Sequence, residues 1–195
     1  NRRVQTGYPQ ENDKVGDDDF ELNYGGCQID VNKGDVIMIA AGEHHSCAVF
    51  AEGGGDMLKC WGDNSLGELG IPISNTPLGY WTSVPEYVPF VNLHIETYLS
   101  ETKPKIKQIV GGYYITCILL TDYTVKCWGS NSKGQLGLGI TDAYIDEPSK
   151  NPVNIGNNEG ARKIVLIRET VCVLTFSGKI KCWGELLDTP GSFVG

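Results

Sequence analysis

The sequence predicts an all-β protein built from about three four-stranded antiparallel units. Three observations carry this. A phrase ending in Cys-Trp-Gly is written three times, which sets Trp61, Trp128 and Trp183 apart by 67 and 55 residues. Short apolar runs alternate with turn residues, and most of the 25 glycines fall at those turns. No long segment carries the i, i+3, i+4, i+7 apolar stripe of an amphipathic helix. Four short antiparallel strands at a period of 55–67 residues match one β-propeller blade per repeat.

The chain divides accordingly. Residues 1–35 hold no repeat and are acidic, with "ENDKVGDDDFE" at 11–21; they read as a solvated segment that completes a blade. Repeats follow at about 36–85, 86–150 and 151–195. Each offers four expected strands. The first is an extended run ahead of the repeat, "EYVPFVNL" (86–93) or "NPVNI" (151–155). The others are the run ending at Gly42 or Gly112, the run after the first cysteine, and the run into Cys-Trp-Gly. Alternation puts Val125 and Cys127 on one face, and Ile180 and Cys182 likewise, with Lys and Trp on the other.

The cysteines follow from the hairpins. In "CVLTFSGKIKC" (172–182), Phe176-Ser177-Gly178 suits a three-residue turn with glycine in the left-handed region. Thr175 then pairs with Lys179, and stepping outward sets Cys172 opposite Cys182. In a non-hydrogen-bonded pair the Cα atoms stand about 4.5 Å apart, within disulfide range. Cys117 and Cys127 share this spacing; Cys47 and Cys60 are three residues further apart, the extra length supplied by "EGGGD" (52–56). Three such bridges contribute about 2–3 kcal/mol each. Cys27 is left over, either free or paired outside the segment.

The remaining motif residues read as structural. Trp61, Trp128 and Trp183 fill the wedge between blades. Gly62, Gly129 and Gly184 release the strand into the next loop, and Asn64 and Asn131 stabilise the turn that follows. Gly67, Gly70, Gly134 and Gly137 permit tight backbone, while Leu69 and Leu136 plug the core.

Several chemistries fit poorly. The formal charge is −8, so nucleic acid is not an expected partner. No apolar run reaches the roughly 18–20 residues that span a bilayer. Cysteines with nine or twelve residues between them do not form zinc knuckles, and Asp17, Asp18 and Asp19 lack the ligand alternation of a calcium loop. His44 and His45 are adjacent, point to opposite faces, and read as surface or packing residues, with Tyr113 and Tyr114 at the matching positions of the second unit. There is no Ser/His/Asp arrangement or phosphate loop. No catalytic residue, metal or cofactor is expected. The chain opens "NRRV", which reads as a processed chain or part of a longer one.

"AAGEHHSCAV…KCWGDNSLGELG" and "VGGYYITCIL…KCWGSNSKGQLGLG" resemble repeats of the regulator of chromosome condensation family. The resemblance covers about 36–195 and implies a β-propeller, commonly of seven blades. The paired cysteines resemble the exported and ectodomain branch. The third unit departs: Ile167 stands where Gly42 and Gly112 stand, and "ELLDTPGSF" replaces the glycine-rich turn. Terminal repeats are often atypical in this way.

The reading adopted is a non-catalytic interaction scaffold or structural subunit of a larger assembly. It is placed in a secreted or extracytoplasmic setting: extracellular, or an oxidising lumen such as endoplasmic reticulum or thylakoid. Partners are expected to be proteins, with association to a membrane complex left open. One alternative is a receptor ectodomain or propeller-type enzyme inhibitor. It would bind through the connectors 72–87 and 141–150, where Tyr80, Trp81, Tyr87 and Tyr144 are candidate anchors. Guanine-nucleotide exchange, which the resemblance also implies, is opposed by the acidic charge and the paired cysteines.

Overall fold

The computed structural model describes residues 35–51, 55–75, 81–82, 88–95, 103–140, 142–156 and 159–185. Cys27, the acidic run 11–21, most of the "EGGGD" loop, Tyr80 and Tyr87 lie outside them.

Within these residues the chain forms three antiparallel sheets, each a blade. Blade 1 holds β1 (Val36–Ala41), β2 (His45–Phe50), β3 (Met57–Asp63) and β4 (Trp81–Thr82), in that order. Blade 2 holds β5 (Ile106–Gly111), β6 (Ile115–Leu120), β7 (Val125–Ser130) and β8 (Tyr144–Ile145). Blade 3 holds β9 (Ala161–Ile167), β10 (Thr170–Thr175) and β11 (Ile180–Gly184). The strands are rich in Val, Ile and Leu, which suit a pleated surface buried on both sides.

The hairpin registers repeat. Cys47 faces Cys60, Cys117 faces Cys127, and Cys172 faces Cys182. The third turn closes as its sequence dictates: Thr175 N–H donates to Lys179 O at 2.9 Å, and Gly178 takes φ +81°. The first strand of every blade slips by one residue near its start: at Val36/Met38, at Ile106/Gln108, and where Leu174 and Thr175 pair with Lys163 and Ala161. Such a bulge adds twist where the inner strands converge.

The fourth strand corrects the sequence reading. It follows Cys-Trp-Gly instead of preceding the repeat: β4 pairs with Gly62 and Asp63, and β8 with Gly129 and Ser130. Of the runs expected as first strands, the described part of 86–93 and all of 151–155 lie along the outer edge of the preceding blade. Val91 N–H donates to Leu58 O and Val153 N–H to Val125 O, both at 2.8 Å. Pro89 and Pro152 lack an N–H, so these runs make isolated bonds and no continuous ladder.

Blades stack face to face. The cysteine face of blade 1 (Cys47, Val49, Leu58, Cys60) packs on Ile109, Ile118 and Trp128 of blade 2. The cysteine face of blade 2 (Cys117, Leu119, Val125, Cys127) packs on Ala161, Ile164, Val171 and Val173 of blade 3. One backbone bond recurs across each seam: Glu43 N–H to Gly112 O at 3.0 Å, and Tyr113 N–H to Arg168 O at 2.9 Å. A Cβ on Gly42 would stand 2.5 Å from Gly112 O, and one on Gly112 would stand 2.3 Å from Arg168 O. Glycine occupies these positions because the next blade's backbone approaches so closely. Ile167 holds the equivalent place in blade 3 and is 71% exposed.

Candidate functional site

Each seam is sealed by one indole. Trp128 is fully buried, and its Nε1–H donates to Glu68 O at 3.1 Å; Trp183 Nε1–H donates to Gln135 O at 3.0 Å. The accepting carbonyls lie in the glycine-rich turns of the preceding blade. Asn64 holds the first turn: its side-chain oxygen accepts from Leu69 N–H at 3.1 Å, and its Nδ2 donates to Ile71 O at 3.1 Å. Asn131 does the same for Leu136, at 3.2 Å, and reaches Ile140 and Asp142. Leu69 and Leu136 are fully buried. Gly67 and Gly134 donate to the Asn64 and Asn131 carbonyls, and Gly70 and Gly137 to those of Gly67 and Gly134. Gly70 (φ +73°) also lies under the Trp128 ring, where a Cβ would come within 2.7 Å of Nε1.

His45 belongs to this seam, a role the sequence did not disclose. Backbone equivalence pairs it with Ile115, since Gly42 N–H donates to His45 O as Gly112 N–H does to Ile115 O; His44, not His45, matches Tyr114. His45 is fully buried. Thr116 Oγ1 donates to Glu68 O at 2.7 Å and so accepts from His45 Nε2, also 2.7 Å away. His45 Nδ1 has no hydrogen-bond partner. Burial, and secondarily His44, lower its pKa to about 4. His44 packs against the Tyr113 and Tyr114 rings at 5.1 and 5.0 Å.

The lysine before each Cys-Trp-Gly forms a second repeated device. Lys126 is buried, and its Nζ donates to four carbonyls. Leu93 (2.9 Å) and His94 (3.3 Å) belong to the connector of blade 1; Ser149 (2.9 Å) and Lys150 (3.2 Å) belong to that of blade 2. Burial lowers its pKa, and Asp122 opposes this. Lys59 lies over the Phe90 ring at 4.8 Å. Lys181 donates to Ile155 O. "KCWG" was a visible signal for this role, but the acceptors are main-chain carbonyls, to which any sequence could contribute.

The three cysteine pairs stand at S–S distances of 2.15, 2.08 and 2.07 Å, with Cα–Cα of 4.0, 4.1 and 4.1 Å. The first two are buried, whereas Cys182 is exposed. Cys182 lies on the cysteine face of blade 3, along with Val165 (44% exposed), Ile167 and Ile180 (74%). The equivalent faces of blades 1 and 2 are covered by the next blade. This open apolar face is the candidate site. Of the sequence-predicted anchors, Tyr144 lies exposed on β8 and Trp81 begins β4; Tyr80 and Tyr87 are not described. No group of three or more His, Cys, Asp or Glu among the described residues could hold a metal ion. No described helix is long and apolar enough to cross a membrane.

Comparison with known proteins agrees with this architecture. Residues 36–68 and 106–135 match the Regulator of chromosome condensation (RCC1) repeat. Protein pim1 of Schizosaccharomyces pombe is 24% identical over 77% of this chain, and the match spans 27% of pim1. The probable E3 ubiquitin-protein ligase HERC6 of Homo sapiens is 35% identical over 53% of this chain and 8% of its own. Among solved structures, Prp20p from Saccharomyces cerevisiae, described with its binding to Gsp1p and histones, superposes with a TM-score of 0.60. It is 21% identical over 77% of this chain and 32% of its own. The chain thus spans about a third or less of the relatives it matches. It carries regulator of chromosome condensation (RCC1) repeats folded as consecutive blades of a β-propeller.

Proposed function

We propose that this chain is a non-catalytic protein-interaction scaffold of an oxidising, extracytoplasmic compartment. The observation that carries the reading is the cysteine face of blade 3, which no described residue covers. Ile180 and Cys182 present apolar surface at positions that blades 1 and 2 bury, beside exposed Val165 and Ile167. An uncovered apolar face of this kind marks an interaction surface. Three cysteine pairs at bonding distance support the compartment.

The test is the native mass of the chain recovered from its source, beside an Ile167→Asp, Ile180→Asp variant. The reading expects a stoichiometric complex for the native chain and a monomer for the variant. A native chain that is monomeric in its own extract would overturn it. A second reading, a binder acting through its rim, is favoured by exposed Tyr144; Tyr144→Ala would then weaken complex formation while the face variant would not.

A further inference from the structure

We infer that the seam between blades 1 and 2 is an acid-sensitive hinge: one proton taken up by His45 loosens blade 1 from blade 2, while the seam between blades 2 and 3 stays closed. The inference concerns how the stack responds to its surroundings and does not rest on the scaffold reading.

The hydrogen-bond chain through His45 has one direction. Trp128 Nε1–H and Thr116 Oγ1–H both donate to Glu68 O, so Thr116 accepts from His45 and the ring carries its proton on Nε2. The bare nitrogen is Nδ1. It faces Gly42, where a Cβ would stand 2.7 Å away, and it has no hydrogen-bond partner. A second proton has only Nδ1 to go to. It would make a fully buried cation with no acceptor.

The charged groups around the ring do not compensate it. On blade 1, Asp63 Oδ1 accepts from Ser65 N–H at 3.0 Å, and Glu68 Oε2 from Leu66 N–H at 2.9 Å. Glu43 is exposed and lies 3.9 Å from His44 Nε2. His44 is a neighbour of like charge when both rings are protonated. Blade 2 brings Thr116 to the ring, and Tyr113 and Tyr114 to His44 beside it. The closed seam therefore refuses the proton, and protonation favours any state in which the ring meets water. The pKa of His45, lowered to about 4 by burial and then by His44, agrees with this geometry.

The second seam responds with the opposite sign. Ile115 stands at the His45 position, and the titratable group that crosses is Glu169, which accepts from Gln135 Nε2 at 3.2 Å. Burial and the neighbouring Glu185 carboxyl raise the Glu169 pKa, so the fold holds this proton more tightly than the unfolded chain does. Acid does not open the second seam through Glu169. The Lys133–Glu185 pair, 3.6 Å apart, is exposed and contributes little. Opening of the first seam exposes Cys47, Val49, Leu58 and Cys60 of blade 1 and Trp128 of blade 2. Acid thus uncovers an apolar face that is hidden at neutral pH.

Each seam has one equivalent amide as a reporter: Glu43 N–H, bound to Gly112 O, and Tyr113 N–H, bound to Arg168 O. The experiment is residue-resolved amide hydrogen exchange of the native chain at pH 7 and pH 5, corrected for the intrinsic pH dependence of exchange. Protection at Glu43 should fall by about twentyfold, while that at Tyr113 should hold within about twofold. His45→Gln should abolish the fall. Asp56→Asn should leave it, because it keeps an acceptor for Ile106 N–H at the same seam. Ring nitrogen NMR of the unsubstituted chain needs no variant to fold, and should show His45 protonated on Nε2 at pH 7. The inference is overturned by equal losses at both amides, by unchanged protection at Glu43, by a loss that survives His45→Gln or vanishes in Asp56→Asn, or by an Nδ1–H tautomer.

Discussion

Blades 2 and 3 are the same hairpin in two environments. Each has nine residues between its cysteine positions, the same cross-strand register, and an indole donating to a turn carbonyl of the blade before it. Yet every residue of β7 is buried, while β11 alternates between exposed and half-buried. Lys126 is held by four carbonyls and Lys181 by one. The difference teaches that a blade's strand geometry is encoded locally, whereas its burial is conferred by the next blade and the connector. Stability in such an array is a sum over units and seams.

The largest expected effect separates the seams. Trp128→Ala should destabilise by about 3–5 kcal/mol, the range for a fully buried aromatic, and half-buried Trp183→Ala by less than half of that. Urea unfolding at a matched m-value would show it. Equal losses would break the comparison.

Acid should weaken the first seam before the second. His45 is neutral in the fold with a pKa of about 4, against 6.5 when unfolded. Between those values the unfolded chain binds a proton that the folded chain refuses, so stability falls as pH falls from 6.5 to 4. The loss amounts to about 3 kcal/mol and levels off below pH 4. The second seam has Ile115 at this position, so exchange at pH 4.5 should rise at the contacts between blades 1 and 2 first. His45→Gln should flatten this part of the stability profile.

The lysine clamps come next. Lys126→Met strips the donor from four carbonyls and should destabilise by about 2–3 kcal/mol; Lys181→Met should stay under about 1 kcal/mol, measured by thermal unfolding. The smallest contrast is between glycines of like φ. Gly134 (φ +71°) has open space around it, so Gly134→Ala should cost about 1 kcal/mol from backbone strain alone. Gly70→Ala must also displace the Trp128 ring and should cost about twice as much or more.

These contrasts also mark what the sequence could reveal. Strand alternation and the Phe176-Ser177-Gly178 turn were legible because they depend on neighbours within a few residues. The wedge role of Trp128 was legible because a large side chain repeated at one register needs a repeated place to go. The fourth strand was misplaced: apolar content in 86–93 and 151–155 mimics a strand, but Pro89 and Pro152 limit pairing, and the blade served is the earlier one. His45 and Lys126 were missed because their partners lie 71 residues away in Thr116 and 33 away in Leu93. Ile167 in place of glycine marked a departure of the third unit, although its meaning required the close approach of Gly42 to Gly112 O to be seen first.

The most direct test of the account is graded reduction of the native chain, with alkylation and mass mapping at each step. Thiolate attack requires access to a sulfur, and Cys182 is exposed while Cys47, Cys60, Cys117 and Cys127 are buried. The account predicts that the pair Cys172–Cys182 opens first and alone under mild dithiol, with the other two pairs opening only on unfolding. Simultaneous opening of all three pairs, or six thiols that alkylate without any reductant, would contradict it.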